Sequence, residues 1–419
     1  MSNKAEQDWV EAALKSASPI VLEPHESALA TLLVERAYEV STKKDVSLGL
    51  TLAACYDMLV SAQYYGAVGQ SGWLHCSVEE PLLIYPFTNT CPRCVLSTSF
   101  VFHNSNKPES GSIGNTTSRL LAVLLDRLIA RNGRGLKIYR GTEPVDVIFY
   151  DEANRVALLA EIKAAPLTTL PLAAKASMGA GHQPKAHNHI EMEELFALLP
   201  QAGSPSYRLL NIGKRADVSK KAWAFHQFER LLRDDDALFA DYFRFWLRAY
   251  HAYNKTERKT DAPIDPVFWM TNGCGQPSPR PSDWPKTTKR KADGSVTEGT
   301  SYESISDSKS SVGMDRTDDI KKGIYQVLNI GAESKRQGGK YIVKTALISN
   351  LHAIRHHEGY LESLQDIVWA RDPTDNLKGV VRTASHLPAD TEVYNLFDGI
   401  ISFSKNHSRD KWIDDNFNF

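Results

Sequence analysis

At 419 residues the chain is long enough for two domains, or for one large domain with insertions, and can bury a full core without disulfide staples. A formal charge of -1 gives no support to bulk electrostatic binding of nucleic acid, although a local basic cleft is compatible with it. Five unevenly spaced cysteines do not make a disulfide framework, no apolar run reaches transmembrane length, and the first residues lack a signal peptide's apolar core, so a cytoplasmic protein is expected.

Residues 1–70 are expected to form an N-terminal helical region. Leu29, Leu32, Leu33 and Ala37 recur at helical spacing, as do Leu48, Leu52, Cys55 and Leu59. Nothing there reads as catalytic, which leaves partner contact or dimerisation open. Residues 71–110 change character, with a short strand at 81–86 and then Cys91-Pro92-Arg93-Cys94. Such a C-x-x-C can hold one Zn²⁺ from a knuckle turn. His75, Cys76 and His103 are available to complete tetrahedral coordination, and the set Cys76, Cys91, Cys94 and His103 is the candidate. A redox dithiol would want a βαβ context that is absent; unligated buried cysteines are the third reading.

From residue 111 a glycine- and hydroxyl-rich run opens a helix with Leu120, Leu121, Leu124, Leu125 and Leu128 as its apolar stripe, ended by Asn132-Gly133. Asp126 falls nearly opposite that stripe, as a solvated charge would. Residues 135–140 predict a first strand. Residues 143–150 and 156–163 then predict a hairpin: β-branched, aromatic and aliphatic runs around the polar turn Asp151-Glu152-Ala153-Asn154-Arg155. A turn centred on Ala153-Asn154 sets Asp146 opposite Glu161, roughly 5 Å apart, where like charges repel. Alternation puts Lys163 on the same face as Glu161, with Ala157 and Leu159. A divalent cation between the carboxylates would turn repulsion into binding, and hard ions such as Mg²⁺ choose oxygen ligands. The alternative, a solvated Glu/Lys pair, sits poorly with the apolar run at 156–160.

Residues 175–313 are expected to form an insertion, helical with a basic flexible loop. It should hold a short helix at 191–199 and a long helical region at 220–254, whose aromatic stripe reads as core. A strand-like Val267-Phe268-Trp269-Met270 follows. His187-Asn188-His189 lacks the flanking pattern of the nuclease motif it resembles by name, and is read as coincidence. Residues 275–311 read as low-order, either a solvated loop or one that orders on the phosphate backbone through Lys286, Lys289, Arg290 and Lys291. Residues 314–419 predict a helix at 315–332 capped by Asp315 or Thr317, a buried strand at 340–350 and a strand at 399–403. Arg355 is a candidate phosphate contact; His352 and His356 are read as ordinary polar residues.

The Asp146…Glu161-Ile162-Lys163 pattern, with Pro144 two residues ahead of the aspartate, resembles the active site of the PD-(D/E)XK nuclease superfamily. It departs from the family pattern where Val145 separates Pro144 from Asp146. The resemblance implies an α/β (α+β) restriction-endonuclease-like core, a central mixed β-sheet flanked by helices, split here into 111–174 and 314–419. It implies Asp146, Glu161 and the Ile162 carbonyl as Mg²⁺ ligands, Lys163 beside the attacking water, and Lys322 or Gln326 near the scissile phosphate. The activity implied is Mg²⁺-dependent hydrolysis of double-stranded DNA to 5′-phosphate and 3′-hydroxyl ends. Chain size suits base reading, as in a type II restriction enzyme. A palindromic target would imply a C2 homodimer in a prokaryotic cytoplasm, and a cognate methyltransferase acting on the same site without binding this chain. The Cys-Pro-Arg-Cys segment is similar to the ApaLI-like group. The alternatives are a DNA repair or recombination nuclease, and a zinc-stabilised DNA-binding protein without catalysis. No G-x-x-x-x-G-K-S/T occurs, which lowers the case for an ATP-driven subunit.

Overall fold

The computed structural model describes residues 9–68, 74–75, 83–84, 88–103, 110–176, 192–201, 206–214, 222–257, 264–306, 312–335, 340–354, 356–362, 364, 367–370, 380–383, 393–395, 397–408, 410–417 and 419. The chain opens with α1 (Trp9–Ser16), the edge strand β1 (Ser18–Pro19), α2 (Pro24–Lys44) and α3 (Leu48–Val68). Pro24 starts α2, where its missing N–H costs nothing, and Asp45 ends it in the left-handed region (φ 51°) with its N–H on the Ser41 carbonyl. A two-stranded ribbon, β2 (Leu74–His75) and β3 (Leu83–Ile84), and the short helix α4 (Pro92–Leu96) follow. Next come α5 (Ser110–Arg131), β4 (Leu136–Arg140), β5 (Val147–Asp151) and β6 (Val156–Ile162). Gly133, at φ 64°, turns the chain out of α5.

The middle of the chain holds a three-stranded antiparallel sheet, β7 (Leu172–Ala176), β8 (Met192–Pro200) and β9 (Tyr207–Lys214). Helices α6 (Trp223–Asp234) and α7 (Leu238–Glu257) follow, then the hairpin β10 (Lys286–Arg290) and β11 (Val296–Tyr302). The last part is α8 (Thr317–Ser334), β12 (Ile342–Ser349), a small sheet of β13 (Ile367–Ala370), β14 (Val380–Thr383) and β15 (Val393–Tyr394), then β16 (Gly399–Ser402), β17 (His407–Ser408) and α9 (Lys411–Phe417).

These elements make a mixed α/β structure around a seven-stranded mixed sheet ordered β1-β4-β5-β6-β12-β16-β17. The strands β4, β5 and β6 run antiparallel, and α8 carries the chain over to β12, which lies parallel to β6. All seven residues of β6 are buried, which is why its sequence is a continuous apolar run and not an alternation. Val147, Phe149, Leu158, Ala160 and Ile162 face a core shared with α2, α3 and α5. Ile148, Ala157 and Leu159 face α1 and the end of α8 at Ile330. The N-terminal helices therefore share the core of the sheet. At roughly 1.5–3 kcal/mol per fully buried large aliphatic or aromatic side chain, this shared face is the main anchor of the site-bearing hairpin.

Four expectations are corrected. Residues 191–199 are strand, not helix: Leu195-Phe196-Ala197-Leu198-Leu199 is a short apolar run that fits either period, and antiparallel partners on both sides decide it. Val267-Phe268-Trp269-Met270 lies in a 3₁₀ turn, Pro266–Met270, because the Asp265 carboxylate accepts the Val267 N–H at 3.0 Å and Pro266 starts the turn. The basic segment at 275–311 contains the ordered hairpin β10–β11, closed at Asp293-Gly294 with Gly294 at φ 83°. Neither Asp315 nor Thr317 caps α8: Arg316 holds that position without a side-chain bond, and Asp315 accepts instead from the Ile354 N–H (2.6 Å) and the Tyr253 hydroxyl (3.1 Å). The insertion is thus as much sheet as helix. His187-Asn188-His189 lies outside the described residues.

Candidate active site

The ladder between β5 and β6 pairs Val147 with Ala160 and Asp151 with Val156, a register that carries Asp146 opposite Glu161. The Asp146 backbone is fixed on both sides: its N–H donates to the Ala160 carbonyl (3.1 Å) and its carbonyl accepts from Gly141 N–H (2.9 Å). Its side chain is exposed, yet Oδ2 accepts the Ile162 N–H at 2.9 Å, which pins the carboxylate against the end of β6. Glu161 is buried, and the Lys163 ammonium donates to its Oε1. Lys163 is itself held in line by its backbone N–H, which donates to the Ile348 carbonyl of β12 at 2.9 Å.

The electrostatics follow from this placement. Burial, then the negative charge of Asp146, push the Glu161 carboxyl up to about 7, against the opposing pull of Lys163. A buried acid that holds its proton near neutrality beside a second, exposed carboxylate is a local deficit of positive charge. Asp146 and Glu161 offer carboxylate oxygens of the kind a hard divalent cation takes.

Three supports of this cluster carry no motif. Gly323 brings α8 down onto the site: a Cβ there would stand 2.8 Å from Leu347 Cδ1 and 3.3 Å from Lys163 Cγ. Asn350 clamps the chain just beyond Lys163, accepting the Ala165 N–H (3.1 Å) and donating to the Ala165 carbonyl (2.8 Å). Asp57 of α3, fully buried, accepts the Thr168 N–H (2.9 Å) and the Trp246 indole N–H (2.7 Å), and burial raises its carboxyl well above the ordinary range. A sequence signal existed only for Asp57, the single charged residue in a 21-residue helix.

The remaining candidates separate. Lys289, Arg290 and Lys291 are exposed on the β10–β11 hairpin, and Lys286 pairs there with Glu298. That hairpin is rooted beside the site. Asn272, ahead of it, donates to the Leu167 carbonyl (2.8 Å) and the Pro166 carbonyl (2.6 Å). Gly313, beyond it, donates to the Ala165 carbonyl (2.9 Å). Lys322 is exposed on α8, while Gln326 is half-buried one turn along from Gly323. Arg355 lies outside the described residues.

Cys91 and Cys94 are buried with their sulfurs 3.1 Å apart, packed against Ala173 and Leu198. Cys76 lies outside the described residues. Among the described residues no three His, Cys, Asp or Glu side chains gather as a metal site.

No helix among the described residues is long and apolar enough to cross a membrane. Comparison of the chain with protein-family models, with curated proteins and with solved structures gave no match, so the site stands on its own geometry.

Proposed function

We propose that the protein is a Mg²⁺-dependent endonuclease of the PD-(D/E)XK type that cuts double-stranded DNA, as a type II restriction enzyme does. The observation that carries this reading is the meeting of Asp146, Glu161 and Lys163 at one end of a buried antiparallel pair, with the Glu161 proton affinity raised. The order of elements around it, α5-β4-β5-β6 and later α8-β12, is the helix, three strands, helix and strand expected of that family. Mg²⁺ held by Asp146, Glu161 and the Ile162 carbonyl would supply Lewis-acid polarisation of the phosphate and a water acidified toward neutral pH. Lys163 would orient the attacking water and balance the charge that builds on the phosphate oxygens. The exposed Asp146 leaves the cluster open to a strand of DNA, and the basic hairpin rooted at Ala165 to Leu167 would add contacts to its backbone.

Digestion of a plasmid of known sequence, with the ends mapped, tests the reading and reports specificity and polarity together. Wild-type protein is expected to cut in Mg²⁺ and leave 5′-phosphates. Lys163→Ala and Asp146→Ala are expected to lose cleavage while still shifting DNA in a gel. Cleavage retained in both variants would overturn the assignment. Binding without cleavage by wild type, in Mg²⁺ and in Mn²⁺, would favour a non-catalytic DNA-binding protein.

A further inference from the structure

A cleft of about 280 Å³ opens beside Asp146 on the α5 side of the sheet. Asp146 and Ile162 line it from the sheet, Asn115, Thr116 and Ser118 from α5, and Arg140 from the end of β4. Neither Glu161 nor Lys163 lines it, so Asp146 is the lip between the acidic cluster and this space. Two arginines border the cleft, and they differ. Arg119 is spent on a two-pronged pair with Glu26, whose carboxylate is buried. Arg140 is exposed, and its guanidinium makes no ion pair or hydrogen bond among the described residues. The side chains of Asn115, Thr116 and Ser118 that reach the cleft are likewise without hydrogen-bond partners there. The opposite wall is apolar, formed by Pro19 and Val21, the latter 72% exposed.

One unspent cation, several neutral donors and acceptors, an apolar wall, and a carboxylate only at the shared lip make a poor site for a free metal ion or a small carboxylate. They suit a phosphate that brings a sugar and a base with it. Arg140 matches a phosphate oxygen pair in charge and in the planar fork of its donors. The α5 side chains can hydrogen-bond a sugar or base edge, and the Pro19–Val21 wall can cover a ring face.

We propose that this cleft is a nucleotide subsite: it holds the nucleotide next to the phosphodiester that lies at Asp146 and Glu161, with Arg140 on that nucleotide's phosphate. This rests on the nuclease reading for its place along the DNA strand, but not for its ability to bind. Its role is to fix the direction of the strand, so that a single orientation presents the scissile phosphate to Lys163.

The test is anisotropy of fluorescein-labelled (dT)₄ with the full-length protein in Ca²⁺, beside the plasmid assay. Arg140→Gln removes one charged hydrogen-bonding partner and is expected to weaken (dT)₄ about tenfold or more. Ser118→Trp fills the cleft without changing charge and is expected to weaken it at least as much. Lys43→Ala, exposed in the last turn of α2 and outside the cleft, is expected to keep wild-type (dT)₄ affinity. The Arg140 guanidinium makes no ion pair or hydrogen bond among the described residues, so R140Q removes no polar contact seen there, and circular dichroism checks the fold of R140Q and S118W. No binding of (dT)₄ by wild type, or binding that ignores both R140Q and S118W, overturns the subsite. Binding that depends on both residues in a protein that never cuts plasmid sinks the nuclease reading and leaves the subsite standing. Cleavage with (dT)₄ affinity indifferent to both substitutions does the reverse.

Discussion

Two antiparallel ribbons in this molecule carry a lysine–glutamate contact, and they could hardly differ more in consequence. In β5–β6 the strands are packed on both faces. Glu161 and Lys163 meet with side chains only 7% and 21% exposed, and the carboxyl is displaced far from its ordinary range. In β10–β11 both faces are wet. Lys286 and Glu298 meet at 2.5 Å with 42% and 64% exposure, a geometry in which water screens nearly everything the contact offers. Both contacts sit on antiparallel ribbons and use the same residue types, although Glu161 and Lys163 are two apart on one chain run and Lys286 reaches across to Glu298 on the neighbouring strand. What displaces the Glu161 carboxyl in one ribbon is the removal of water by α2, α3 and α5 on one side and α8 on the other.

The largest test of that contrast is at the buried ribbon. Glu161→Gln keeps the shape and removes the displaced carboxyl, and should lower cleavage by on the order of 10²–10⁴-fold. The protein should stay folded, since a like-charge contact with Asp146 is relieved. An E161Q enzyme as active as wild type in single-turnover cleavage would show that burial of this pair has no chemical purpose.

Next in size is Asp57, which shares the dry environment but serves the backbone. Asp57→Ala orphans the Thr168 N–H and the Trp246 indole and should cost about 3 kcal/mol in urea unfolding. Burial raises this carboxyl in the folded state, so the native protein binds the proton more tightly than the unfolded chain does. Its contribution is therefore present in full below the unfolded value near 3.8 and declines as pH rises through the folded value. Asp57→Asn, which mimics the protonated acid, should flatten that decline. A wild-type stability profile that rises from pH 5 to 8, unchanged in D57N, would contradict it.

Gly323→Ala sets two effects against each other. Helix propensity favours alanine by about 1 kcal/mol, while the clash with Leu347 and the Lys163 stem costs about 1–3 kcal/mol. Overpacking should win, with a lower melting temperature and slower cleavage, rescued in part by Leu347→Ala. The smallest effects belong to the exposed ribbon. Lys286→Ala should leave the melting temperature unchanged, because water screens the pair with Glu298. The triple substitution of Lys289, Arg290 and Lys291 by Gln should leave melting unaltered while reducing the log–log salt slope of duplex binding by about 2–3.

The same contrast explains what could be read from the sequence. The β5–β6 register was legible because a polar turn sits symmetrically between two apolar runs, and burial on both faces leaves no freedom to slip. The aromatic stripe of α6 and α7 also read as core, with Trp246, Tyr242, Phe225 and Phe239 fully buried. The β10–β11 hairpin was not read, because a strand wet on both faces carries no hydrophobic period. Its Asp293-Gly294 turn was the available signal, and composition outweighed it. Gly323, Asn350 and Arg140 were silent for another reason: each acts on residues distant in sequence, through contacts that exist only once the sheet is assembled. The C-x-x-C spacing was legible too, in that it brings two buried sulfurs together.

Strand β12 has one further consequence, for the order in which the acidic cluster is assembled during synthesis. It lies against β6 from Val156 to Ile162, and its Ile348 carbonyl receives the Lys163 N–H, yet residues 163–341 must be translated before it begins. Until then the edge of the ribbon that bears Glu161 is open, and Lys163 has no neighbour to fix it. A polypeptide released early from the ribosome would carry Asp146, Glu161 and Lys163 without the strand that aligns them.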